Sequence, residues 1–344
     1  MDIIYNTDLS TMNTFRMKVK AACLAQYYSV EELDEISRME ELPKPFFHIG
    51  GGSNLLFLGD FPGTVLHSRI RFIQQFPSED GMAVRVGAGV PWDDFCDWCA
   101  KRDLWGPENL SMIPGETGAA AVQNIGAYGR EVGDIISTVE CYDMVAHRMV
   151  AFRHDECAYG YRESFFKNEG KARYVVTAVT MNLKNDYSPV IDYGNLKDRL
   201  TQKYGQFVVN EKRLTPDMVR RGIMEVRAEK LPAVEETGSA GSFFRNPYVP
   251  KEKYEEIVAM GYASVPHFDN SDGSVKIPAA WLIDQCGWKG HTEGNAGVWG
   301  KQPLVIVNAT GDASPEEIKG LEDKIVASVR EKFGIELIPE VEHV

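Results

Sequence analysis

A chain of 344 residues with 44% hydrophobic and 25% charged residues has the composition of a globular protein, long enough for two or three domains and a sizeable core. Its net charge of −13 argues against a nucleic-acid or anionic-membrane surface, because both demand a basic footprint. No apolar run reaches the ~18 residues of a membrane-crossing helix, and Met1-Asp2-Ile3-Ile4-Tyr5 lacks a signal peptide's basic-then-apolar pattern, so a cytoplasmic protein without a membrane partner is expected.

Ser29-Val30-Glu31-Glu32 reads as a capping box. Leu33, Ile36 and Met39 continue a helical stripe behind it, and Pro43 and Pro45 stop the helix. Phe46-Phe47-His48-Ile49 reads as a strand, Gly50-Gly51-Gly52-Ser53-Asn54 as a loop, and Leu55 to Leu58 as a second apolar run. A Rossmann fingerprint needs a helix after its glycines, and a Walker A loop ends in Gly-Lys-Ser/Thr; neither is present. Successive N–H groups in such a turn can form an anion-binding nest, or the segment is a plain hairpin turn.

A helix follows Pro91 and carries Cys96 and Cys99 at C-x-x-C spacing. With no second pair and no thioredoxin-like context, these read as buried core thiols. The seven histidines show no metal-ligand spacing, so no metal site is expected. From Ile113 to Gly129 almost every side chain is tiny, and Gln123-Asn124 adds two amides. Such a run contributes little burial to offset chain entropy. It is either tightly packed backbone or the bed of a flat ligand. Two glycine-rich loops in one chain favour an extended, phosphate-bearing cofactor.

Thr138–Tyr142 and Arg173–Val179 are strand-like, and between them Tyr159-Gly160-Tyr161-Arg162-Glu163 sets a cation beside two tyrosines. Arg162 either serves a site or simply stacks on a tyrosine or pairs with Glu163. Pro189–Leu196 reads as a strand running into a helix. Thr215-Pro216 opens another helix through Val219, Ile223 and Val226 to Lys230, which puts a domain boundary at about 231. The segment Gly238-Ser239-Ala240-Gly241-Ser242-Phe243-Phe244-Arg245-Asn246-Pro247 is a turn before a buried Phe pair, or a site in which Ser242 is a nucleophile, a proton donor or a phosphate anchor. Ala279–Cys286 reads as a helix closed by Gly287, and Leu304–Asn308 as a strand. A capping box at Ser314 starts a helix that ends at Gly334, and Ile335–Val341 reads as a closing strand. Strands without regular β-α alternation argue for α+β domains.

In this order the segments resemble the UDP-N-acetylenolpyruvoylglucosamine reductase family of flavoenzymes. The resemblance spans nearly the whole chain. It begins at Asn13-Thr14-Phe15 and Gly51-Gly52-Ser53-Asn54-Leu55-Leu56-Phe57, then takes in Pro114-Gly115 with Gln123-Asn124-Ile125-Gly126-Ala127-Tyr128-Gly129. Gly160-Tyr161-Arg162, Ala240 to Pro247, Ala280-Trp281-Leu282-Ile283-Asp284 and Pro339-Glu340-Val341 complete it. Tyr193 in Asp192-Tyr193-Gly194 resembles the type with a tyrosine loop before the third domain.

The resemblance implies an α+β protein of three domains. Two would form an FAD-binding unit of the vanillyl-alcohol-oxidase (PCMH) type, 1–67 with 335–344 and 68–230, with the PCMH-type region at about 15–185. The third, 231–334, would close over the substrate. Non-covalent FAD would lie on Gly50, Gly51, Gly52, Ser53, Asn54 and Leu55, and on Pro114, Gly115, Gly118, Ala119, Ala120 and Gln123 to Tyr128. Some relatives carry hydroxyls where Ala119 and Ala120 stand, which leaves backbone contacts there. NADPH would reduce FAD, and the enolpyruvyl ether of UDP-N-acetylglucosamine would then take hydride from it. Ser242 matches the family's proton donor, while Arg162 and Glu340 match the pair that stabilises the intermediate. Glu340 would be protonated, or else orient a water or Arg162. Tyr193, Lys230, Asn246 and Gln285 would face the nucleotide; Lys230 alternatively serves its helix dipole, and Tyr193 a core. A monomer acting on a small UDP-sugar, without nucleic acid, is expected. The alternatives are an oxidase of the same cofactor fold, many of which tether flavin through a histidine in the first glycine loop, whereas here His48 stands two residues before that loop, and a non-catalytic nucleotide-binding module.

Overall fold

The computed structural model describes residues 1–79 and 81–344. The chain divides into two compact units, one of residues 1–7, 21–51 and 62–227, the other of 8–20, 52–61 and 228–344.

In the first unit, α1 (Val30–Arg38) begins where the capping residue predicts, with Ser29 Oγ accepting from Glu32 N. Only half of the box forms. The Glu32 carboxylate accepts from Tyr28 N and pairs with the Met1 amino group. A four-stranded sheet has the order Asp2–Asp8, Lys20–Tyr27, Phe61–Ser68, Phe46–Ile49. Its last two strands are parallel, with Ile49 opposite His67. Phe61–Ser68 is buried at six successive positions, as a strand covered on both faces must be. A five-stranded antiparallel sheet packs with α2 (Trp92–Ala100), and Phe95, Cys96 and Cys99 join Val84, Val139 and Met181 in one core. Cys96 and Cys99 are buried free thiols, as expected, and burial holds both far above the ordinary thiol pKa.

Within the small-residue run lies a short helix, α3 (Thr117–Gln123), closed by Asn124 in the left-handed region at φ 44°. Pro189–Tyr193 forms no strand; the chain turns at Tyr193-Gly194 into α4 (Leu196–Tyr204), followed by α5 (Gln206–Asn210). Asn109 Nδ2 donates to Val190 O and so takes the place of a ladder partner. The Thr215 hydroxyl accepts from Met218 N at the start of α6 (Pro216–Lys230).

The second unit contains α7 (Lys251–Ala259), α8 (Ala279–Gln285) and α9 (Pro315–Phe333). A four-stranded sheet runs Gly238–Ser239, Ile306–Asn308, Ala296–Val298, Thr292–Glu293. The closing strand is displaced from Ile335–Val341 to Glu342–His343, which pairs in parallel with Leu55–Leu56. Pro339 has no N–H to donate, so its segment makes only an isolated bridge with Phe244. Among the described residues, no helix is long and apolar enough to cross a membrane.

The full capping box of α9, Ser314 Oγ from Glu317 N at 3.2 Å and Glu317 Oε2 from Ser314 N at 2.9 Å, yields a stability prediction. Ser314→Ala is expected to cost about 1 kcal/mol and lower a thermal midpoint by about 2 °C, with Ser314→Asp restoring it. Differential scanning of the three proteins checks this.

Candidate active site

Each unit carries part of the site anticipated from the sequence. In the first, strand Phe46–Ile49 delivers Gly50 and Gly51 to the segment around Gly115. A Cβ on Gly51 would stand 3.0 Å from Gly115 Cα, and one on Gly50 2.8 Å from Ala119 Cβ. A Cβ on Gly118 would stand 2.8 Å from Ala88 Cβ. The two glycine loops, far apart in sequence, therefore meet backbone to backbone. Side chains would fill that cradle, so it fits a group that lies against main chain.

The far end of the second loop is braced by Asn124, whose side chain is engaged within the protein. Its Nδ2 donates to Glu131 Oε2 and Gly160 O, each at 2.8 Å, and its Oδ1 accepts from Gly133 N at 2.9 Å. Gln123 Oε1 accepts from Lys167 Nζ at 2.9 Å. Arg162 sits against the same loop and donates from Nη2 to Gly126 O at 2.7 Å. It also holds a left-handed backbone at φ 57°, and Tyr128 one at φ 50°; such strain concentrates at functional positions. Tyr193 is half exposed and packs edge-on against Tyr128, centroids 6.4 Å apart, with Gly129 close against its Cβ. Burial raises the Tyr128 phenol pKa, so it stays protonated.

A Cβ on Gly126 would stand 2.7 Å from Arg162 Nη1. The closest clash is with the end of a flexible side chain, and Glu131 Cγ at 3.0 Å and Arg130 O at 3.2 Å need give by only a few tenths of an ångström, so it falls on function more than on folding. Gly126→Ala is expected to lower turnover about 10-fold while leaving the thermal midpoint within about 2 °C of the parent, as steady-state rates and a melt on one preparation would show.

In the second unit, Gly52 has φ 62°, and a Cβ there would come within 1.9 Å of Met12 O, which bars any side chain. Asn54 Nδ2 donates to Glu340 O at 3.1 Å, and Glu342 N to Asn54 O at 3.0 Å. The Ser242 segment adjoins the same stretch. Glu340 N donates to Phe243 O at 2.8 Å and Arg245 N to Ile338 O at 3.0 Å. Gly241 turns at φ 69° and lifts Ser242 into an exposed position, while Phe243 and Phe244 beside it are fully buried. Asn54, Ser242 and Glu340 are thus neighbours in the fold, and Arg162 lies on the other unit.

Asn246 Oδ1 accepts from Ala279 N at the start of α8. The Gln285 carbonyl accepts from Lys332 Nζ, and the Lys230 carbonyl from Trp299 Nε1 at 3.0 Å. The sequence reading overlooked Arg227. Its guanidinium interacts with Tyr128 and donates to Met112 O, and burial lowers its pKa. Its place four residues after Ile223, on the apolar stripe of α6, was the available signal. Also unforeseen were the Tyr27–His48 hydrogen bond at 2.6 Å and the His67–Glu116 pair at 2.9 Å.

Residues 21–147 match a family model described as an FAD binding domain. Residues 232–344 match the UDP-N-acetylenolpyruvoylglucosamine reductase C-terminal domain. The chain is 46% identical over 334 residues, 97% of each protein, to the UDP-N-acetylenolpyruvoylglucosamine reductase of Bacteroides fragilis. It is 39% identical, over an alignment of 353 positions that covers the whole of both proteins, to that of Porphyromonas gingivalis. The crystal structure of the Thermus caldophilus UDP-N-acetylenolpyruvylglucosamine reductase shares the fold, with a TM-score of 0.65 at 23% identity over 99% of this chain and 98% of that one.

Proposed function

The chain belongs to the UDP-N-acetylenolpyruvoylglucosamine reductase family, and from that premise we propose the reaction and the residues that carry it. The protein is an FAD-dependent oxidoreductase of peptidoglycan precursor synthesis, reducing the enolpyruvyl ether of UDP-N-acetylglucosamine to UDP-N-acetylmuramate at the expense of NADPH. It works as a cytoplasmic monomer and holds FAD non-covalently. The single observation that carries the catalytic assignment is the pairing of the Ser242 and Glu340 segments through Glu340 N and Phe243 O.

The chemistry that a bound FAD would supply is hydride transfer from NADPH to the vinyl carbon of the substrate. The protein's own groups manage charge and proton. Hydride addition builds negative charge on the adjacent carbon and its carboxylate. Arg162 pairs with that carboxylate, and its bond to Gly126 O fixes the guanidinium plane for two parallel hydrogen bonds. Ser242 gives its hydroxyl proton to the carbon, from a backbone held by buried neighbours on one side. Glu340 shares the stabilising role with Arg162, its main chain tied to Asn54 and Phe243. Gly50 to Leu55, Pro114, Gly115, Gly118 to Ala120 and Gln123 to Tyr128 cradle the cofactor, with Gly50–Gly52 on its diphosphate. Tyr193, Lys230, Asn246 and Gln285 bind the nucleotide. Residues 1–67 with 335–344 and 68–230 form the cofactor half, and 231–334 the substrate domain.

The test is anaerobic. NADPH is expected to bleach the yellow protein and the enolpyruvyl substrate to restore its colour. Absence of either change would defeat the reading, and flavin that stays with the acid-denatured chain would point to a tethered oxidase instead.

A further inference from the structure

The first unit buries a carboxylate against the cradle. Glu116 is only 7% exposed, yet its side chain makes no capping bond to α3. Its Oε2 lies 3.5 Å from the point where a Cβ on Gly50 would stand. Its Oε1 lies 2.9 Å from Nε2 of His67, a ring 6% exposed. The other ring nitrogen is committed. The Gln26 amide oxygen faces His67 Nδ1 at 3.1 Å and Arg69 Nε and Nη2 at the same distance, so Nδ1 is a donor. The hydrogen between Nε2 and Oε1 is therefore a second proton. The pair is an imidazolium facing a carboxylate, or an imidazole facing a carboxylic acid. Its net charge is zero either way.

We propose that His67 and Glu116 are positioning residues of the cofactor cradle: their shared proton lets the cofactor's diphosphate meet a neutral wall in place of a buried carboxylate. The inference rests on the assignment of Gly50–Gly52 to that diphosphate. Arg69 faces the pair through Gln26, and Tyr27 and His48 lie on the two neighbouring strands. His48 is bonded to the Tyr27 hydroxyl, and burial, reinforced by His67, holds its pKa down to about 3. Burial raises the Tyr27 phenol pKa. Both stay neutral near pH 7. Without His67 the Glu116 carboxylate would face the diphosphate alone, a like-charge contact that weakens binding.

The experiment measures equilibrium binding of FAD to the full chain by flavin fluorescence quenching. ADP and adenosine serve as competitors, and the parent is compared with Glu116→Gln, His67→Gln and the double variant. Glu116→Gln should bind FAD and ADP at least as tightly as the parent. His67→Gln should weaken both about tenfold and leave adenosine unchanged, and adding Glu116→Gln should recover binding to within about threefold of Glu116→Gln alone. Glu116→Gln binding more weakly than the parent, or a double variant weaker than both singles, would overturn the proposal. Adenosine competing as well as ADP would instead refute the diphosphate assignment itself.

Discussion

Ser242→Ala is expected to bleach with NADPH at the parent rate and then to regain its colour about 10³-fold more slowly when the enolpyruvyl substrate is added. The two halves separate because, on the proposed assignment, the hydroxyl enters only the second. Hydride transfer from NADPH places no charge on a substrate carbon. Reduction of the vinyl group does, and it cannot finish until that carbon is protonated. The substitution removes one exposed oxygen and leaves its surroundings intact. Gly241 keeps its left-handed turn, Phe243 and Phe244 stay buried, and Phe243 keeps its bonds to Leu304 O and Glu340 N. A folding defect would slow both halves together. Ser242→Cys retains a transferable proton and should recover part of the rate, with a solvent deuterium effect larger than that of the parent. Reoxidation of Ser242→Ala at the parent rate would take the proton donor away from Ser242.

What was legible in the sequence was what local chemistry decides. Ser314 with Glu317, and Gly334 at φ 65°, bracket α9 as read, because a capping box and a left-handed glycine are short-range devices. Thr215-Pro216 and Lys230 bracket α6 for the same reason. The small-residue run hid α3, since its alanines favour helix while the surrounding glycines and Pro114 signal loop. The displaced closing strand was illegible for a different cause. Glu342–His343 pairs with Leu55–Leu56, a partner at the other end of the chain, and strand pairing is decided by that partner. The site divides likewise. Ser242, Arg162 and Glu340 could be named from motifs. The contact of Glu340 with Phe243, of Gly51 with Gly115 and of Glu116 with His67 joins residues that no local pattern connects.

Gly51→Val is expected to yield a folded but colourless protein whose FAD affinity is at least about 100-fold below the parent's, read by fluorescence titration beside a thermal melt without flavin. Gly51 has ordinary negative-φ backbone, so a side chain brings no conformational strain; the effect is one of space. The first added carbon would stand 3.0 Å from Gly115 Cα and 3.6 Å from Gly115 N and C, all main chain that cannot swing aside. The loops must part, at an overpacking cost of about 1–3 kcal/mol that a chain of this size survives. The two methyl groups then occupy the cradle where a ligand would approach bare backbone. Gly118→Val supplies the contrast. Its Cβ would press on Ala88, behind α3, where Gly118 N donates to Ala88 O, so that substitution should lower the melt as well as the affinity. Parent-like FAD binding by Gly51→Val would mean that the meeting of the two glycine loops is packing alone. The cofactor would then have to lie elsewhere.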